Sequence, residues 1–174
     1  MARHSMTEQR KISIRRLKVD ELPVVTDIAR KTWPSAYSGI ISDYQIEYML
    51  NRMYSLQTMQ SEIETQGICF DILEVNGVPA GFASFGPIDN NILKLHKLYI
   101  LPEFQHQGLG STLLSHVLEC ATSKEYREII LNVNRKNTPA INAYKKFGFT
   151  IKEEVILDIG NSFIMDDYIL SYKI

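Results

Sequence analysis

The feature that most constrains this sequence is a glycine-containing turn between an apolar segment and an amphipathic helix. Residues 92–100 are typical of a β-strand, and apolar residues recur at helical spacing over residues 108–123. Gly108 and Gly110 lie where the helix begins. Glycine lets the backbone approach a ligand closely, and the N–H groups of a first helical turn attract anions. The segment therefore predicts a strand–turn–helix unit that cradles an anion such as phosphate.

Several classes of site that share such features are excluded. The chain has no G-x-x-x-x-G-K-[ST] motif of P-loop NTPases, and a dinucleotide-binding fingerprint needs glycine where Leu113 stands. The further motifs of protein kinases are missing as well. No ligand spacing such as H-E-x-x-H occurs, so the sequence predicts no metal site. The formal net charge of −1 gives no reason to expect nucleic-acid binding.

Length and composition predict one domain at residues 10–174, preceded by a flexible tail at residues 1–9. The apolar share of 45% is typical of globular proteins. No apolar run is long enough to span a bilayer and no signal peptide is evident, so a cytoplasmic protein without a membrane partner is expected. Cys69 and Cys120 are expected to be small buried hydrophobic residues, and His116 is expected to face solvent.

Local signals predict a mixed sheet with helices on its faces, which is an α/β fold. Asn76-Gly77 between two apolar runs predicts a β-hairpin with a type I′ turn. A helix opens at Ser42-Asp43. Further helices are predicted over residues 20–31, 55–66, 108–123 and 138–147, and strands over residues 12–17, 68–75, 78–85, 92–100, 128–133, 149–158 and 163–172.

A second motif, from Asn137 to Phe149, follows the glycine turn by about thirty residues. Q-x-x-G-x-G at the helix start, paired with this downstream N-x-x-A-x-x-x-Y-x-x-x-G-F, resembles the GNAT N-acetyltransferase superfamily. The similarity covers roughly residues 68–149. It implies acetyl-CoA as co-substrate and a mixed, roughly seven-stranded sheet flanked by helices, with a splay between the fourth and fifth strands. It also implies N-acetyltransferase activity, with an amine attacking the thioester directly.

The resemblance implies where acetyl-CoA would bind. Backbone groups of Leu98 and Ile100 would pair with the pantetheine arm in the splay. Asn137 caps its helix and would also contact this arm. Main-chain N–H groups would cradle the pyrophosphate along the turn, which consists of Gln105, His106, Gln107, Gly108, Leu109, Gly110 and Ser111. The family often has arginine where Gln105 stands.

Acetyl transfer to an amine needs a proton acceptor and a proton donor. At pH 7 a lysine-like amine with a pKa of about 10.4 is neutral in only roughly one molecule in 2,500. The resemblance implies Tyr144 as the acid that protonates the departing thiolate. Lys94 stands where many members carry a glutamate base. His96 is the alternative base, and strand alternation places it on the same face as Leu98 and Ile100. A hydrogen-bonded histidine within the sheet remains the other interpretation of His96.

The resemblance also implies which segments surround the acceptor, namely the first helices and the last hairpin. These carry Trp33, Tyr37, Asp166 and Asp167. The segment from residue 158 to 168 looks like that of bacterial polyamine acetyltransferases. Aromatic faces and carboxylates suit a polycationic amine. Core packing of the aromatic residues and solvent exposure of the aspartates remain alternatives.

The expected function is therefore acetyl transfer to a small primary amine, such as a polyamine. Two alternatives stay open: a protein or peptide N-acetyltransferase, and a non-catalytic module that binds acyl-CoA. Retention of Tyr144 favours turnover over simple binding. Similar enzymes are often dimers, so a homodimer is compatible with the resemblance.

Overall fold

The computed structural model describes residues 9–174, and a seven-stranded mixed sheet runs through them. The predicted tail, residues 1–9, lies outside the described residues apart from Gln9. The strands are β1 (Ile12–Arg16), β2 (Cys69–Val75), β3 (Val78–Pro87), β4 (Ile92–Ile100), β5 (Glu128–Asn134), β6 (Thr150–Gly160) and β7 (Phe163–Lys173). Their order is β1-β2-β3-β4-β5-β7-β6, and β4 and β5 form the parallel pair. The predicted mixed seven-stranded sheet is confirmed.

Five α-helices flank the sheet: α1 (Pro23–Ala36), α2 (Asp43–Met53), α3 (Leu56–Gln66), α4 (Leu109–Ser123) and α5 (Thr138–Phe147). Ser42 and Ser55 cap α2 and α3 by accepting hydrogen bonds from backbone N–H groups. Gly67 ends α3 with a φ of 65°. The prediction that the first helix ends near Lys31 is wrong. The helix continues to Ala36, because burial of Trp33 in the core stabilises a further helical turn. Within residues 9–174, no helix is both long and apolar enough to cross a membrane.

The two faces of the sheet have separate cores. One core contains apolar side chains of α4 and α5, and we call this side the α4 face. The other contains apolar side chains of α1, α2 and α3, and we call this side the α1 face. The Asn76-Gly77 hairpin is confirmed, since both residues have positive φ values of 51° and 78° and Val75 pairs with Val78.

Strand β4 contains a β-bulge at His96. Lys97 pairs with Ser84 and Leu95 pairs with Phe85, so one step along β3 corresponds to two steps along β4. His96 is therefore an extra residue in the ladder.

The bulge changes which side chains share a face. Leu95 packs in the core on the α4 face, and so do Leu98 and Ile100 beyond the bulge. A regular strand would place Leu95 and Leu98 on opposite faces. The prediction that His96 shares a face with Leu98 and Ile100 is therefore wrong, because it assumed unbroken alternation.

The sheet splays between β4 and β5. Their parallel pairing runs from Ile92 opposite Glu128 to Leu95 opposite Leu131, and no later pair follows within the described residues. Both strands nevertheless continue, β4 to Ile100 and β5 to Asn134. The predicted splay is confirmed, and it leaves one side of the last β4 residues without a strand partner.

Candidate active site

The open side of β4 presents backbone groups to the splay. The Leu101 N–H donates to the Ala80 carbonyl at 2.8 Å, which directs this residue's backbone towards β3. Because successive residues direct their backbone groups to alternate sides, those of Leu98 and Ile100 point into the splay. The Ile100 carbonyl already accepts a hydrogen bond from the Gln105 amide at 2.9 Å. The backbone of Leu98 is left to pair with an extended ligand.

The glycine turn forms an anion cradle at the start of α4. His106 and Gly108 have φ values of 59° and 77°, and Gly108 is the residue that caps the helix. Among residues 9–174, the backbone N–H groups of residues 106–111 have no hydrogen-bond acceptor. A Cβ placed on Gly108 or Gly110 would meet nothing within 4 Å, so the space before the helix is open. These N–H groups fit a diphosphate.

Two glutamine side chains hold the turn in place by hydrogen bonds to backbone carbonyls. The Gln105 N–H donates to the Pro102 carbonyl at 3.3 Å, while its side-chain amide holds the Ile100 carbonyl. The Gln107 amide donates to the Glu103 carbonyl at 3.2 Å. The prediction that the Gln105 N–H group belongs to the cradle is wrong, because this N–H group is already hydrogen-bonded within the turn. The polar groups of Gln105 position the turn.

Two adjoining cavities lie along the splay. The larger is an open cleft of about 530 Å³ beside the cradle, and Leu98, Ile100, His106, Gly110 and Asn137 contribute to its wall. The smaller has a volume of about 70 Å³ and shares Leu98 and Asn137 with the cleft. The smaller cavity, unlike the cleft, is also lined by Tyr37, His96, Asn132 and Tyr144.

Tyr144 and His96, predicted as acid and base, line the same small cavity. Burial raises the pKa of the Tyr144 phenol, and Tyr37 adds to the increase, so the hydroxyl keeps its proton at neutral pH. Burial lowers the pKa of His96 to about 4, with Lys94 and Lys97 acting in the same direction. The imidazole is therefore neutral at pH 7.

Asn137 occupies the corner where the two cavities meet. Its side-chain oxygen accepts a hydrogen bond from the Ala140 N–H at 3.4 Å, which caps α5. Its own N–H donates to the Asn134 carbonyl at 2.9 Å. The cap fixes the start of α5, the helix that carries Tyr144.

The two predicted aromatic acceptor residues have different environments. Trp33 is only 1% exposed and donates its indole N–H to the Tyr54 hydroxyl at 3.1 Å. The prediction that Trp33 contacts the acceptor is wrong, because this side chain belongs to the core on the α1 face. Tyr37 is half-buried and lines the small cavity.

The two predicted aspartates point to opposite faces of β7. Asp166 lies on the α4 face, where a carboxylate oxygen is 3.6 Å from the Arg135 guanidinium. Asp167 is buried on the α1 face. Its Oδ1 atom has no hydrogen-bond partner among residues 9–174. The expectation that both aspartates face one acceptor is wrong, because neighbouring strand residues alternate.

Two polar residues on the α1 face were not predicted as part of the site. Asn132 lines the small cavity from β5. Lys94 is half-buried on β4, and burial lowers the pKa of its ammonium group, although Asp167 opposes the decrease. Asn132 is the one polar residue in the otherwise apolar run from Ile129 to Val133, and that break in the run is the signal which could have identified it.

Comparison with known proteins identifies the family. Residues 24–149 match the model of the acetyltransferase (GNAT) family. The chain belongs to this family. The resemblance inferred from the two sequence motifs is therefore confirmed, and acetyl-CoA is the co-substrate of this GNAT acetyltransferase.

Similar proteins include enzymes with different acceptors. The spermidine N(1)-acetyltransferase of Thermoplasma acidophilum is 31% identical over 159 residues, which cover 89% of this chain and 96% of the relative. The PaiA N-acetyltransferase structure from the same organism, in complex with coenzyme A, has a TM-score of 0.80 and 28% identity over 94% of this chain and 99% of that one. N-alpha-acetyltransferase 20 of Dictyostelium discoideum is 34% identical over 89 residues, covering 48% of this chain and 50% of the relative.

Proposed function

We propose that this GNAT acetyltransferase acetylates a small primary amine of the polyamine type. The observation that carries the proposal is the small cavity at the splay, which His96 and Tyr144 both line. A volume of about 70 Å³ suits the unbranched end of an alkylamine better than a branched peptide terminus. The 31% sequence identity with a spermidine acetyltransferase, which extends over nearly the whole length of both chains, supports the same acceptor class.

Asp167 supplies the charge that a polyamine needs. The Oδ1 atom of this buried carboxylate has no hydrogen-bond partner within the described residues. Burial raises the pKa of Asp167 and Asp166 adds to the increase, while Asn132 and Lys94 oppose it. A second ammonium group of the acceptor would stabilise the ionised carboxylate by a charge-assisted hydrogen bond.

His96 orients the attacking amine. The lowered pKa leaves the imidazole neutral, so it accepts a hydrogen bond from the amine and directs the nitrogen lone pair into the cavity. A group with a pKa near 4 holds a proton only briefly. His96 therefore passes the amine proton on to water. A histidine base can remove a proton either directly or through a water molecule, and the low pKa favours the second route.

Tyr144 donates the proton that the leaving group needs. When bound, acetyl-CoA supplies the activated acetyl thioester. The backbone of Leu98 and the N–H groups of residues 106–111 hold that substrate along the splay and the cradle. The raised pKa of Tyr144 keeps the hydroxyl protonated until it donates the proton to the departing thiolate. The side chain lies on α5, whose start Asn137 fixes.

A peptide acceptor is the second candidate. The similarity to N-alpha-acetyltransferase 20, although confined to half of each chain, favours it.

An acceptor screen tests the proposal. Purified protein is incubated with acetyl-CoA and with polyamines, aralkylamines, amino acids or short peptides, and thiol release is recorded. We expect the highest kcat/KM for a polyamine. Turnover of peptides alone would contradict the small-amine proposal. Binding of acetyl-CoA without thiol release for any amine would instead indicate a non-catalytic module.

A further inference from the structure

Three potential metal ligands from distant parts of the chain meet on the α4 face. Asp71 lies on β2, while His116 and Cys120 are one helical turn apart on α4. The His116 Nε2 atom is 2.7 Å from a carboxylate oxygen of Asp71 and 3.7 Å from the Cys120 sulfur. The three donor atoms all lie within 4.8 Å of one another. Asp71 is 2% exposed, and His116 and Cys120 are half-buried.

The arrangement does not fit a cysteine–histidine–aspartate relay. In such a relay one imidazole nitrogen faces the nucleophile and the other faces the carboxylate. Here Nε2 of His116 faces both the Asp71 carboxylate and the Cys120 sulfur. A nitrogen that donates its proton to Asp71 has no lone pair left to accept one from the thiol. A metal ion, in contrast, needs several donor atoms that converge on one point, as these three do.

We propose that Asp71, His116 and Cys120 bind a thiophilic divalent metal ion, with Zn²⁺ as the preferred ion. Thiolate, imidazole and carboxylate are its usual ligands, and a tetrahedral Zn²⁺ ion separates its donors by about 3.4–3.6 Å. The sulfur–nitrogen distance of 3.7 Å matches this value. The His116 nitrogen and the Asp71 oxygen, which are 2.7 Å apart, must move apart by less than about 1 Å when the ion binds. On binding, Cys120 releases its thiol proton, and the proton of the neutral imidazole resides on Nδ1.

The surroundings of the cluster support a metal and provide an entry path. The Arg16 guanidinium binds the other carboxylate oxygen of Asp71, so it fixes the carboxylate as outer ligands do in metal sites. An open groove between β1 and α4, with Ser115 and Glu119 in its wall, reaches His116 from solvent. The ion would tie β2 to α4, away from the splay.

Metal binding by the full, tag-free chain tests this proposal. Zn²⁺ is titrated calorimetrically in two buffers that differ in ionisation enthalpy, and Co²⁺ reports thiolate ligation through its charge-transfer band. We expect one ion and one released proton per chain, a cobalt–thiolate band and a raised melting temperature. Cys120→Ser should abolish the band and weaken binding more than about 100-fold, since even changes outside the ligands cost about 10–100-fold.

Cys69→Ser is the matched control, because Cys69 is also half-buried on the α4 face but is not one of the three ligands. It should leave the band and the affinity unchanged. If Cys120→Ser does not fold, His116→Gln replaces it: this variant should weaken Zn²⁺ binding more than about 100-fold, and an unchanged affinity would overturn the proposal. Absence of Zn²⁺ binding to the wild-type chain, or a thiolate band that survives Cys120→Ser, would overturn the proposal.

Discussion

The hydroxyl oxygen of Tyr37 lies 3.0 Å from that of Tyr99 in the wall of the small cavity. Tyr37 follows the last residue of α1, and Tyr99 lies on β4, three residues after His96. The Trp33 ring packs against both, with its centroid 4.5 Å from Tyr37 and 5.9 Å from Tyr99. This contact fixes the helical wall of the cavity relative to the strand that carries His96.

Tyr144→Phe should lower kcat by about 100-fold or more, because general-acid catalysis typically contributes 10²–10⁴-fold. The KM for acetyl-CoA should change little, since the cradle is untouched. Steady-state kinetics with the best acceptor from the screen measure both constants. Tyr126→Phe is the control, because Tyr126 packs on the α4 face away from both cavities. Equal kcat values for Tyr144→Phe and the wild type would exclude the acid role.

His96 should make the stability of the ligand-free protein depend on pH between about 6.5 and 4. Its pKa is about 4 in the folded protein, against an ordinary value near 6.5. As pH falls through this window, His96 binds a proton in the unfolded chain but not in the folded protein, so the free energy of unfolding decreases. The loss is at most about 3 kcal/mol. Urea unfolding of His96→Gln should show a flatter pH profile over this window than the wild type, and identical profiles would contradict the shift.

Asp167→Asn should raise the KM for a polyamine about 10- to 100-fold, which corresponds to a lost hydrogen bond to a charged group. The KM for acetyl-CoA and the activity towards amines with a single charge should be less affected. Asp166→Asn is a well-matched control, because its carboxylate lies on the other face of β7 beside Arg135. If both variants lose polyamine affinity equally, Asp167 has no specific role in acceptor recognition.

Gly110→Ala should stabilise the fold but weaken acetyl-CoA binding. Gly110 lies in the first turn of α4, and alanine is more favourable than glycine in a helix by about 1 kcal/mol. The added methyl group would meet no protein atom within 4 Å and would project into the open space of the cradle. Thermal unfolding and acetyl-CoA titration should therefore change in opposite directions. Unchanged affinity would show that the ligand does not approach this residue.

Glu128→Gln should destabilise the protein by about 1–3 kcal/mol at pH 7. Burial opposes ionisation of Glu128, but hydrogen bonds from Lys152, Lys173 and Ser171 outweigh it and lower the pKa to about 2. This stabilisation is present above the ordinary pKa near 4.5 and disappears as pH falls towards 2. Denaturant unfolding at pH 7 and pH 3 should show the difference between variant and wild type decreasing at the lower pH.

Features governed by local physics were predictable from the sequence. The Asn76-Gly77 turn, the serine caps of α2 and α3 and the glycine cradle depend on residues within one or two turns of each other. The two motifs also identified the family, and with it the splay and the position of Tyr144. These predictions needed only short-range spacing.

Features set by distant partners were not predictable in this way. The bulge at His96 depends on how β3 and β4 pair, and Trp33 is buried because α1 docks on β4. Asp71 is 45 residues from His116, so no spacing pattern connects them. The difference between Asp166 and Asp167 also required knowledge of which β7 face meets the α1 core.

The bulge at His96 gives this position an unusual pattern of mutational tolerance. Replacing the side chain leaves the path of the chain intact. Deleting the residue would join Leu95 to Lys97 and restore regular alternation, with Lys97 and Tyr99 still on the α1 face and Leu98 and Ile100 still on the α4 face. The fold thus tolerates loss of this residue better than a deletion elsewhere in β4, whereas the small cavity would lose its imidazole.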